Sequence, residues 1–119
     1  LLRFIPILLL AASAAPAADS LCPLANDSHG LSMVTFFDGK PEEQASLVYD
    51  EMHTTKDGSR ALWRLTPDAP RGYSLVCAYE KTSKTVTKPL SPKFSTCTVD
   101  YGKPAKPSQL PPVRSVQCK

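Results

Sequence analysis

Histidine is scarce in this 119-residue chain, with two residues in all, and tryptophan occurs once. No CxxC pair and no His-x-His step occurs, so the tight ligand spacing of a structural zinc site is missing. There is no GxGxxG and no GK[ST], which removes the dinucleotide fingerprint and the P-loop. No basic block is present either. The formal net charge is only +3, and Lys and Arg are scattered singly, which is not the footprint of a nucleic-acid binder. Beyond residue 17 no long apolar run remains, so nothing later in the chain reads as a membrane helix. Internal repeats and coiled-coil heptads are also lacking.

The single long apolar run lies at the start. Arg3 precedes Phe4 to Ala12, and Ala15-Pro16-Ala17 then fits the small-x-small pattern of a signal-peptidase site. The run falls short of the roughly 20 apolar residues that span a bilayer. Residues 1–17 therefore read as a cleaved export signal, and 18–119 as one small domain with no transmembrane segment. Bulky Leu21 in front of Cys22 speaks against lipidation at that cysteine.

In an exported chain, Cys22, Cys77, Cys97 and Cys118 read as two disulfides. Spacing alone leaves three connectivities open. Strand parity favours one of them. Cys97 alternates with Val99 and Cys118 with Val116, so each lies on an apolar strand face. If those strands are neighbours, Cys97–Cys118 forms, and Cys22–Cys77 ties down the N-terminus.

Most of the domain alternates like strands cut by turn chemistry. Strands are expected at Leu31–Phe37, Glu51–Lys56, Arg60–Thr66, Tyr73–Tyr79, Thr85–Leu90, Phe94–Tyr101 and Val113–Cys118. Pro89 marks the fifth as an edge strand. Asp57-Gly58 suggests a type I′ hairpin turn, and Asn26 to Gly30 a polar turn. Gly102 to Pro112 holds Pro104, Pro107, Pro111 and Pro112 and should be an extended loop. Pro41 with Glu42 and Glu43 looks like a helix start, since Pro lacks the unneeded N–H and the acids favour the helix dipole. Ala45, Leu47 and Val48 would supply its apolar side, giving one short helix at about 41–48. The expected fold is mainly β: an antiparallel meander or partly closed sheet of five to seven strands with one short helix and two disulfides.

Catalytic machinery is hard to assemble from these residues. Asp27-Ser28-His29 holds triad residue types, but adjacent loop side chains do not make a relay. Asp38, Glu42 and Glu43 sit within V-T-F-F-D-G-K-P-E-E at 34–43. Glu42 and Glu43 would point about 100° apart on a helix, so they do not face each other as an acid/base pair. An enzyme or metal-dependent small-ligand site would need Asp38 and Glu42 to converge with a histidine. Trp63, Tyr73 and Tyr79 at alternate strand positions belong to the core rather than to a ligand platform. Without catalytic groups, metal or cofactor, the domain is expected to work by binding another protein through its surface. Phe37, Asp38, Lys40, Glu42 and Glu43 are the candidate contact residues.

The chain resembles a family of small exported, cysteine-containing proteins of Gram-negative bacteria, some of them encoded near type VI secretion genes. The likeness rests on Cys22-Pro23, V-T-F-F-D-G-K-P-E-E-Q-A-S-L at 34–47, A-L-W-R-L at 61–65, L-V-C-A-Y at 75–79, Cys97, and V-Q-C at 116–118. It implies a periplasmic home, no known enzymatic activity, and an immunity role: binding a toxin that attacks the cell wall and blocking its active site. A lysozyme-inhibitor-like protein acting on a muramidase is the alternative for the same compartment.

Overall fold

The computed structural model describes residues 20–119, and the expected export signal at 1–17 lies outside them. Eight strands are present: β1 (Ala25–Asn26), β2 (His29–Asp38), β3 (Glu51–Thr55), β4 (Gly58–Arg64), β5 (Tyr73–Tyr79), β6 (Thr85–Pro89), β7 (Thr96–Gly102) and β8 (Val113–Cys118). They form two four-stranded antiparallel sheets, β1-β2-β5-β6 and β3-β4-β7-β8. The chain is mainly β, as expected, but a two-layer sandwich of eight strands replaces the single sheet of five to seven. Four consecutive antiparallel strand pairs are dealt alternately to the two layers. Each sheet has one apolar face, and the two faces cover each other.

One buried cluster joins the layers. Val34, Phe36, Leu75, Cys77 and Tyr79 enter it from the first sheet, and Ala61, Trp63, Cys97, Val99 and Val116 from the second. Trp63 and Tyr79 are buried and Tyr73 packs against the cluster, as their alternation suggests. The Trp63 indole N–H donates to the Leu47 carbonyl at 3.2 Å, so the ring is satisfied as well as packed. The disulfides are Cys22–Cys77 and Cys97–Cys118, the pairing that strand parity favours. Cys97 and Cys118 lie directly opposite each other in the β7–β8 ladder.

Three local expectations are corrected. The helix at 41–48 is only a 3₁₀ turn, Pro41–Glu43. Gln44 then takes left-handed backbone angles (φ 59°), which stops any helix. The next residues serve β2 instead: Asp38 N–H donates to Ala45 C=O at 2.9 Å, and Leu47 N–H to Phe36 C=O at 2.8 Å. Second, Thr55 pairs with Gly58, so Lys56 and Asp57 are the centres of that hairpin turn. Neither has positive φ, so the turn is not type I′. Gly58 is needed for a different reason. A Cβ there would stand 1.9 Å from the Tyr101 carbonyl oxygen, so only glycine lets β4 and β7 close together. Third, the turn at 26–30 narrows to Asp27 and Ser28, both with positive φ (48° and 67°), and His29 and Gly30 already belong to β2. The proline-rich segment is an exposed loop between β7 and β8, closed at its base by Gly102 N–H donating to Pro112 C=O at 2.8 Å.

Candidate functional site

The stretch 34–43 splits its two phenylalanines between the two sides of the first sheet. A bulge after Leu31 sets the parity, so Leu31, Val34 and Phe36 all face inward. Met33, Thr35 and Phe37 face outward, opposite Ala78, Val76 and Ser74 on β5. Thr85, Thr87 and Pro89 of β6 continue the same face. None of these nine positions carries a charge. Met33 is 53% exposed, Phe37 is half-buried, and Phe37 is not among the residues packed on the core. Ser46, bridged to Phe37 across the strand edge, flanks it.

The outer face of the second sheet is the opposite in character. Arg60 holds Asp100 at 2.6 Å, and Ser115 Oγ donates to the same carboxylate at 3.1 Å. Arg64 pairs with Glu51, which also lies 3.3 Å from His53. The hydrogen bond from Arg60 holds the Asp100 carboxyl below its usual range. A depression of about 410 Å³ on this face is lined by Arg60, Thr98, Asp100, Gln117 and Lys119 among others. Its one carboxylate is locked to an arginine, which leaves no nucleophile–base pair there.

The three acids of the 34–43 stretch do not act together. Glu43 pairs with Arg71, and Asp38 lies 4.0 Å from the same guanidinium. Glu43 also accepts the Lys40 N–H at 3.1 Å, and that bond, followed by the one from Arg71, pulls its carboxyl below the usual range. Around this pair the backbone is pinned. Gly39 N–H donates to Gly72 C=O at 2.8 Å, and the buried Ser74 hydroxyl donates to Gly39 C=O at 2.6 Å. Asp38 and Glu43 thus dock the 39–44 loop onto the β4–β5 connection, while Glu42 and Lys40 stand exposed. Arg71 is the residue that sequence reasoning missed.

Convergence with histidine does not occur. His29 and Asp38 are the two ends of β2, about 30 Å apart along a fully formed strand. His53 sits on the other sheet beside Glu51. Among the described residues, no group of three or more His, Cys, Asp or Glu side chains could hold a metal ion, and no helix is long and apolar enough to cross a membrane.

A family model described as type VI secretion system Tli immunity protein matches residues 25–119. The chain belongs to that family. The matched span begins at β1 and takes in both sheets and the docked 39–44 loop. Comparison with curated proteins gave no match, and comparison with solved structures gave none.

Proposed function

We propose that this immunity-family protein works in the periplasm without turnover, by binding a type VI toxin and holding it inactive, and that the toxin docks on the outer face of the first sheet. One observation carries the choice of surface. Phe37 stands on a sheet face whose nine central positions carry no charge, while the opposite layer is laced with ion pairs. Protein interfaces favour an aromatic anchor in a charge-poor centre surrounded by a polar rim. Met33 and Val76 extend the apolar centre beside Phe37. Asp38, Lys40, Glu42 and Glu43, with Arg71, form the rim at its end. The two disulfides support an oxidising compartment, which the periplasm provides.

Co-expression tests this reading. Cells producing an exported type VI toxin from the same secretion locus should survive with the wild-type chain. They should lose protection with Phe37→Asp combined with Met33→Glu, provided the double variant accumulates to the wild-type level. Full protection by that variant would remove this face from the account.

A further inference from the structure

The outer strands of the sandwich are finished very differently. On β8, Leu21 N–H donates to Val116 C=O at 2.7 Å and Val116 N–H donates to Ser20 Oγ at 2.9 Å, so the N-terminal segment covers that edge. β6 carries Lys88 and ends at Pro89, and β1 spans two residues. Lysine, proline, brevity and cover are the usual devices that stop a sheet edge from recruiting another strand. β3 lacks lysine, proline and cover, and its one carboxylate, Glu51, is paired with Arg64. Glu51–Thr55 contains neither residue type, and among the described residues its only strand partner is β4.

The direction of its free groups follows from the register. Leu65 N–H donates to Ser95 C=O on the β7 side, whereas Asp50 N–H donates to Leu62 C=O on the β3 side. Odd-numbered β4 residues therefore address β7, and even-numbered ones address β3. Glu51, His53 and Thr55, opposite Leu62, Arg60 and Gly58, spend their backbone groups on β4. Met52 and Thr54 turn theirs to solvent.

Apolar side chains stand beside those groups. Val48 is 81% exposed, and Tyr49 and Met52 are each more than two-fifths exposed. Met52 shares a face with its partner Ala61, which is fully buried, so the inner apolar face of the second sheet runs out past the rim of the first. Tyr49 meets Trp63 edge-on at 6.2 Å, which ties this rim to the core.

We propose that the free edge of β3 takes up an extended segment of the toxin as a fifth strand of the second sheet. Apolar side chains at alternate positions of that segment would lie against Val48, Tyr49 and Met52. Main-chain bonds supply affinity and the alternate side chains supply selectivity in such strand addition. The inference rests on the toxin-binding reading and adds a second contact to it. A second copy of this chain is the poorer occupant. Two five-residue edges meeting about a twofold axis would set His53 against its own copy, and would bury far less than the roughly 1,200 Å² of a specific interface between folded proteins.

Amide exchange on the wild-type chain, alone and with the toxin it neutralises, tests the proposal. The Met52 and Thr54 amides should exchange freely alone and slow at least tenfold in the complex. Thr54→Pro removes an N–H that β4 does not use, and should weaken toxin binding tenfold or more. Unchanged exchange at both amides in the complex overturns the proposal, as does a smaller affinity loss in a folded Thr54→Pro protein. If Thr54→Pro fails to fold, the exchange data decide. Protection that appears without toxin and grows with protein concentration also overturns it, in favour of self-association. A wild-type chain that binds no toxin instead sinks the toxin-binding reading itself.

Discussion

Phe36 lies against Trp63 across the two layers, with ring centroids 4.7 Å apart and planes tilted by 49°. It is the main aromatic contact between the sheets, and both rings are buried. The next residue, Phe37, points the other way, as neighbours on a strand must. One dipeptide therefore joins the hydrophobic core to the proposed binding face.

That division predicts a sharp contrast. Phe36→Ala should cost about 3–5 kcal/mol of stability, the range for a large aromatic removed from a packed core. Phe37→Ala should cost less than about 1 kcal/mol, since it leaves no buried cavity. Urea unfolding of both variants checks this. Equal losses would mean that Phe37 is part of the core.

Removing the disulfides should cost unequally. The Cys22–Cys77 bridge spans 55 positions and the Cys97–Cys118 bridge spans 21. The chain-entropy relation gives about 4 kcal/mol for the first and about 3 kcal/mol for the second. Paired Cys→Ser variants, unfolded in urea, should lose stability in that order. Losing the first bridge also frees the segment that covers β8.

Acid should weaken the outer face of the second sheet. The Arg60 bond lowers the Asp100 carboxyl below its ordinary value of 3.8, so the unfolded chain takes up that proton more readily than the folded one. The stabilisation is complete above about pH 5 and is lost as pH falls through the unfolded value to the lower folded one. It is partly solvent-screened and should amount to less than about 1 kcal/mol. Thermal unfolding between pH 2 and 5 should show a smaller pH slope in Asp100→Asn than in the wild type.

Gly58→Ala should be far more damaging than an ordinary strand substitution. The added Cβ would meet the Tyr101 carbonyl at 1.9 Å, and that neighbour is backbone, which cannot rotate away. A loss of more than about 2 kcal/mol is expected. Amide exchange should show the β4–β7 ladder opening first.

The strands are legible in the sequence where alternation is clean, as in Tyr73, Leu75, Cys77 and Tyr79. The disulfide pairing follows from the same parity. The division into two sheets is not legible, because alternation says that a strand has an inner face but not which layer that face meets. The helix reading failed for a local reason. Pro41-Glu42-Glu43 is a sound helix start, yet Ala45 and Leu47 have a period of two and pair beside β2. At the candidate site, two adjacent phenylalanines announce that one must face outward. Arg71 gives no such sign: it lies 28 positions from Glu43, and only the fold brings them together.

The most direct test of the central claim is a calorimetric titration of the toxin with wild-type chain and with Phe37→Ala, whose fold the urea curve verifies. Truncating an aromatic anchor in a protein interface typically costs about 2 kcal/mol or more. The dissociation constant should therefore rise by roughly thirtyfold or more in Phe37→Ala, with the Lys119→Ala control unchanged. A Phe37→Ala protein that binds the toxin as tightly as the wild type would contradict the account.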